Sequence, residues 1–158
     1  MKLSEDFHDL LMELGKAEVD YLVIGGYAVA LHCKPCYTND IDIWIRSSDD
    51  NYRRLIQALE AFGAPRQVGA DVMTGPADEI VWFGNPPNRV DILKHIPGVE
   101  FAPAFESRVI FELQDGVKAS VISLANLLAA KRAAGRPQDL LDAAMLETII
   151  ERDSDADL

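Results

Sequence analysis

Asp40 and Asp42 stand one residue apart in Asp40-Ile41-Asp42-Ile43-Trp44-Ile45, an apolar run in which a buried strand calls for Ile or Val. Side chains two apart on a strand share a face, so both carboxylates project together, roughly 6 to 7 Å apart along the chain. Ile41, Ile43 and Ile45 take the other face. Adjacent carboxylates repel, and at least one pKa rises unless a cation sits between them. Mg²⁺, with Mn²⁺ as its substitute, removes the conflict, because it takes oxygen ligands and is commonly held by one or two carboxylates together with substrate phosphates. Two such ions about 3.5 to 4 Å apart stabilise the attacking and leaving oxygens of a phosphoryl displacement. The competing reading has Asp40 closing an Asx-turn at the strand entrance and Asp42 facing solvent. The triplet alone gives the two readings similar weight.

A third acid shifts the balance. Asp91 interrupts Arg89-Val90-Asp91-Ile92-Leu93 as a strand would place an acid opposite its core-facing residues. Beside the first strand it would complete a three-carboxylate cluster. Its alternative is an Asp paired with Arg89 or exposed on an edge strand. Gly25-Gly26 ends the apolar run Tyr21 to Ile24, and such a turn into a helix can bring backbone N–H groups close to phosphate, although it is more often only a tight turn. Leu124, Leu127, Leu128 and Lys131 follow one helical stripe, so Lys131 either snorkels out at the helix end or reaches into a cleft. In a cleft it gives a triphosphate its counter-charge, with Arg132 and Arg136 nearby. Asp139 falls in the first turn of the last helix, where the dipole alone favours a carboxylate.

The elements that must position these residues follow from periodicity. Ser4 caps a first helix with Phe7, Leu10, Leu11 and Leu14 on one face; Tyr27 to His32 is a short helix; Tyr52, Leu55, Ile56, Leu59 and Phe62 mark another. Arg66 to Asp78, with Gly69, Gly75 and Pro76, reads as a loop with at most a weak strand. Ile80 to Phe83 and Val90 to Leu93 form one predicted hairpin. Val109 to Leu113 and Val117 to Ile122 form a second, around Asp115-Gly116. Ser123 caps a helix ended by Gly135, and Pro137 begins a last one running to about Glu151. The class is α/β, in the α+β sense.

The chain has 158 residues, with 15 Lys and Arg against 26 Asp and Glu, for a formal charge of −11. Residues 1–150 read as a single domain and 151–158 as an acidic, frayed tail. The charge excludes an extended duplex surface, while one basic pocket can still act locally. No apolar stretch approaches a membrane span and the N-terminal segment is acidic and amphipathic, so the expectation is a cytoplasmic protein with no membrane partner. Cys33 and Cys36 make a CxxC, but the pair follows a helix and precedes a strand, the reverse of a redox motif, and reads as two bystander thiols.

Taken in order, GGYAVALHCKPCYTNDIDIWI, RVDIL and SLANLLAAKRAAGRPQDLLD resemble the small nucleotidyltransferases of the DNA polymerase beta superfamily, especially the AbiEii-like toxin branch and its minimal single-domain relatives. The likeness runs from about Tyr21 to Leu146. It implies a polymerase-beta-like nucleotidyltransferase palm, a mixed sheet with helices on one side and a helical C-terminal segment. It further implies that Gly25 and Gly26 contact a triphosphate, that Asp40 and Asp42 bind Mg²⁺, and that Asp91 assists the metal or activates the acceptor hydroxyl. Lys131, with Arg136 and Asp139 of the RxxD stretch, falls at the nucleotide, and Thr38 takes the small hydroxyl position before the acids. Relatives commonly read HGxPRxT there, whereas this chain has Cys36 in place of the arginine. The implied activity is transfer of NMP from an NTP to a hydroxyl of RNA, tRNA among the candidates, or of a protein, in a toxin with a cognate antitoxin. The alternative is a catalytically silent nucleotide-binding or regulatory module of the same fold.

Overall fold

The computed structural model describes residues 3–33 and 40–156; Cys36 and Thr38, on which two of the expectations above fall, lie outside them. Six strands form one mixed sheet: β1 (Tyr21–Ile24), β2 (Asp40–Ile45), β3 (Val81–Phe83), β4 (Arg89–Leu93), β5 (Val109–Glu112) and β6 (Lys118–Val121). Their order is β3-β4-β2-β1-β6-β5. β2 runs parallel to β4, and β1 parallel to β6, while the remaining neighbours are antiparallel.

The register explains the alternation in the sequence. Val23, Ile43, Ile92 and Val81 lie side by side across four strands and are buried on one face. On the opposite face the adjoining row reads Ile24, Asp42, Asp91, Trp82. Period two therefore separates a hydrophobic layer from an acidic one within the same strands.

The buried layer is covered by α1 (Glu5–Lys16), α3 (Asp49–Phe62) and α4 (Arg66–Thr74). Ser4 and Ser48 cap the first two, accepting hydrogen bonds from the amides of Phe7 and Asn51 at 3.2 Å, as a β-region N-cap should. α4 corrects the loop reading of Arg66 to Asp78. Its Gly69 is no breaker: a Cβ there would meet Ile56 Cγ1 at 2.7 Å, so the glycine is where α4 closes onto α3. A second helix without a sequence signal, α5 (Phe101–Glu106), sets Phe101 edge-on to Trp44 at 5.0 Å and covers the acid-bearing face beyond the carboxylates.

α2 (Gly25–His32), α6 (Leu124–Ala134) and α7 (Pro137–Ala156) complete the fold. Gly135 ends α6 in the left-handed region at φ 69°, and Asp115 and Gly116 hold the positive φ expected of the β5–β6 turn. α7 continues to Ala156, past the expected end at Glu151. Among the described residues no helix is long and apolar enough to cross a membrane.

Asn51 ties these layers together. Fully buried, it accepts from the Asp20 amide at 2.8 Å and donates to the carbonyls of Asp20 and Arg46 at 3.0 and 2.9 Å. Asn51→Ala strands those backbone groups in the interior, and urea denaturation is expected to show a loss of roughly 2 to 4 kcal/mol.

Candidate active site

β2 and β4 are central strands, so the acids they carry face a walled cleft and not an open sheet edge. Asp40, Asp42 and Asp91 all line a cleft of about 380 Å³, together with Gly25, Lys131, Arg136 and Asp139. Its apolar walls include Ile24, Ile80 and Leu127. Of the sequence-derived candidates among the described residues, Gly26 and Arg132 are not on this lining; Gly26 is the second residue of α2, and Arg132 pairs with Glu147.

Asp42 bears the electrostatic load. Burial pushes its carboxyl up to about 7, and the Asp91 charge, a hydrogen bond shared with Asp91 and the Asp40 charge push in the same direction, while Lys131 opposes them. Asp91 is also held by Arg89, whose Nε donates to Oδ1 at 2.8 Å. The Arg89 pairing considered as an alternative is thus real. It coexists with the cluster, since the register sets Asp91 directly beside Asp42 on the next strand.

Gly25 is required by two independent constraints. Its φ of +68° lies where side chains are disfavoured, and a Cβ at this position would run into the Asp42 carboxylate. The turn after β1 therefore presses backbone against the acid. Tyr27, two residues on, is a core residue whose ring meets Phe7 edge-on at 5.2 Å, and burial followed by the Asp40 charge raises its hydroxyl pKa.

The opposite wall carries two cations, each paired with acids of α7. Lys131, at the C-terminal turn of α6, turns inward as the stripe pattern allowed, and its Nζ lies 3.3 Å from Asp139 and 3.0 Å from Asp142. Arg136 donates to Asp139 through Nε at 2.6 Å and through its backbone amide at 3.3 Å. Burial works to raise the Asp139 pKa, but the hydrogen bonds and charges of Arg136 and Lys131 hold it below the ordinary carboxylate value. Asp139 is only 2% exposed and acts as a buried clamp on two cations, more than the helix-dipole reading gave it. Asp142 was missed by sequence reasoning. Its signal is the spacing of Asp139-Leu140-Leu141-Asp142, which sets two acids on one helical face.

Among the described residues, no three His, Cys, Asp or Glu side chains close on one point as a metal cage. The donors nonetheless fit a hard divalent ion completed by water and phosphate oxygens: neighbouring carboxylates on one face, one of them, Asp42, raised toward neutrality by burial and by the charges of Asp91 and Asp40.

Solved structures share this fold. A candidate nucleotidyltransferase from Thermotoga maritima matches with a TM-score of 0.56 at 15% identity, over 92% of this chain and 91% of that one. An antigenic nucleotidyltransferase-like protein from Paracoccidioides brasiliensis matches with a TM-score of 0.54 at 15% identity, over 93% and 78%. ANT(2″)-Ia, in complex with adenylyl-2″-tobramycin, matches with a TM-score of 0.53 at 13% identity, over 94% and 89%. The class of fold is that of the nucleotidyltransferases, a mixed α/β domain built on a six-stranded sheet. Residues 1–155 match the family described as "Nucleotidyltransferase of unknown function (DUF6036)", and the chain belongs to it. No functionally curated protein matches the sequence. These likenesses establish the nucleotidyltransferase class and do not reach the narrower AbiEii-like branch.

The raised pKa fixes the sign of a stability effect. Folded Asp42 keeps a proton up to about 7 that the unfolded chain releases near 3.8, so its favourable contribution is complete below about pH 4 and lost as pH rises through 7. In divalent-free buffer, Asp42→Asn is expected to melt several degrees above the wild type at pH 8 and close to it at pH 4, by scanning calorimetry. Equal shifts at both pH values would contradict the charge conflict.

Proposed function

We propose that the protein is a Mg²⁺-dependent nucleotidyltransferase that moves NMP from an NTP to an acceptor hydroxyl and releases pyrophosphate. The observation that carries this reading is the facing of two walls across one cleft: Asp40, Asp42 and Asp91 on the sheet, Lys131 and Arg136 on the helices. Asp40 and Asp42, with Asp91, would hold Mg²⁺, or Mn²⁺ in its place. Once bound, the ion neutralises charge on the phosphates and polarises the α-phosphorus.

The chain's own groups supply the rest. The acceptor oxygen bonds to the α-phosphorus as the bond from that phosphorus to the bridging oxygen breaks, and pyrophosphate departs. Asp91, with Asp42 beside it, takes the hydroxyl proton and returns it to solvent. Lys131 meets phosphate charge after exchanging Asp139 and Asp142 for it, and Arg136, whose side chain is largely exposed, reaches the same anion. Gly25 and Gly26 let the backbone at the start of α2 come close to phosphate, and Thr38 stands just before the acids in sequence. Catalysis is mainly positioning and electrostatics.

The acceptor belongs to RNA, a tRNA end included, or to a protein, and the net charge of −11 confines any nucleic-acid contact to a short segment. A toxin with a cognate antitoxin, acting in the cytoplasm, is the setting that fits this reading.

Incubation with each of four α-labelled NTPs, Mg²⁺ and a cell extract is expected to label one macromolecule. Asp42→Asn is expected to lower that rate by about 10² to 10³. Lys131→Ala is expected to raise the KM for NTP about tenfold or more, the cost of removing a charge-assisted phosphate contact. Label that persists undiminished in Asp42→Asn would overturn the assignment.

A further inference from the structure

Trp82 is out of character with its strand. Its neighbours Val81 and Phe83 are buried against the main core, yet Trp82 is 55% exposed. The register turns it to the acid-bearing face, directly across from Asp91. The protein's other tryptophan, Trp44, lies on the same face of the sheet but is packed under Phe101 and 2% exposed. One indole is thus structural and the other is exposed beside Asp91, next to the cleft but outside its lining.

Arg89 joins that indole to the acids. Its guanidinium carbon sits 4.4 Å from the centre of the Trp82 ring, and its Nε donates to Asp91. Ile80, half exposed, lines the cleft at the same end. The surroundings of the acids are therefore oriented: Lys131 and Arg136 line the cleft from α6 and α7, the carboxylates line it from the sheet, and Trp82 stands beside Asp91 just beyond the lining. The side of Lys131 and Arg136 suits a triphosphate. The side of Trp82 suits the other substrate.

We propose that Trp82 and Arg89 form a platform on which the terminal base of a single-stranded RNA acceptor stacks, setting its sugar hydroxyl beside Asp91. This rests on the nucleotidyltransferase reading above and adds the acceptor's chemical class. An indole face stacks any nucleobase and is indifferent to its identity. The adjoining guanidinium supplies a local positive charge for the last phosphate in a chain of charge −11, which would repel a longer tract. Trp82 and Arg89 are positioning residues here. The competing explanation is structural, an indole that only holds Arg89 in place for Asp91.

The test uses the full chain with Mg²⁺, a single-stranded RNA tetranucleotide bearing a free 3′ hydroxyl, and each of the four NTPs titrated separately. Because Trp44 is buried, the RNA is expected to quench the exposed tryptophan emission and shield it from acrylamide. Trp82→Leu is expected to bind the RNA about tenfold more weakly, the effect of one lost base stack, and to raise the acceptor KM far more than it lowers kcat. Trp82→Phe is expected to keep most of the affinity, and all three proteins to bind NTP equally, which also shows that the variants fold. NTP binding that is normal in the wild type, with RNA that leaves Trp82 open to acrylamide or binds Trp82→Leu undiminished, overturns the platform alone. So does transfer of label to a protein with unchanged kinetics in Trp82→Leu. Failure of the wild type to bind any of the four NTPs overturns the nucleotidyltransferase reading beneath it.

Discussion

Carboxylates on adjacent strands of one buried sheet face cannot all keep their charge without a cation. Asp42 sits between Asp91 on β4 and the turn after β1, and its carboxyl is driven toward neutrality by burial and by its neighbours. Among the described residues, Lys131 relieves this conflict at Asp42 only in part. Arg89 is bonded to Asp91, and Lys131, the cation that acts on Asp42 from across the cleft, is bonded to Asp139 and Asp142. On the proposed function, a ligand that brings divalent cation and phosphate together would meet the acids of the sheet and the cations of α6 and α7 at once. Such stored conflict costs stability, which is the usual relation between an active site and the fold that carries it.

What holds the conflict in place is the same register that makes the core. Ile41, Ile43 and Ile45 face α1, α3 and the rest of the hydrophobic layer, so β2 cannot slip by one residue without exposing three isoleucines and burying the acids. Gly25 fixes the remaining boundary, since only a residue without a side chain fits between the β1 turn and the Asp42 carboxylate. Fold specificity and site geometry are here one constraint.

Much of this was legible in the sequence, and the parts that were not have physical causes. Alternating Ile and Asp announced β2 and its two faces, and the caps at Ser4, Ser123 and Gly135 marked helix ends. α4 was hidden because Gly69 looks like a breaker in one dimension and is a helix contact in three. α5 is too short for a periodic pattern and draws its stability from Phe101 on Trp44. Asp91, Lys131 and Asp139 could be nominated by position, but the clamp of Asp139 and Asp142 on Lys131 depends on how α6 meets α7, which periodicity within either helix does not encode. Trp82 read as an ordinary strand residue, since which face of a short edge strand is covered is a tertiary fact.

The proposed function requires the acidic face to take up a divalent ion by giving up a proton that Asp42 holds near neutral pH. Calorimetric titration of Mg²⁺ into the protein saturated with a non-hydrolysable NTP, at pH 7 in two buffers of different ionisation enthalpy, measures that proton directly. The account expects a fractional proton to be released on binding beyond the share released by the nucleotide's own terminal phosphate, diminishing as the pH is raised to 9 and reduced to the nucleotide's share in Asp42→Asn. Mg²⁺ binding with no proton release beyond that share at pH 7, or release of the same size in Asp42→Asn, would contradict it.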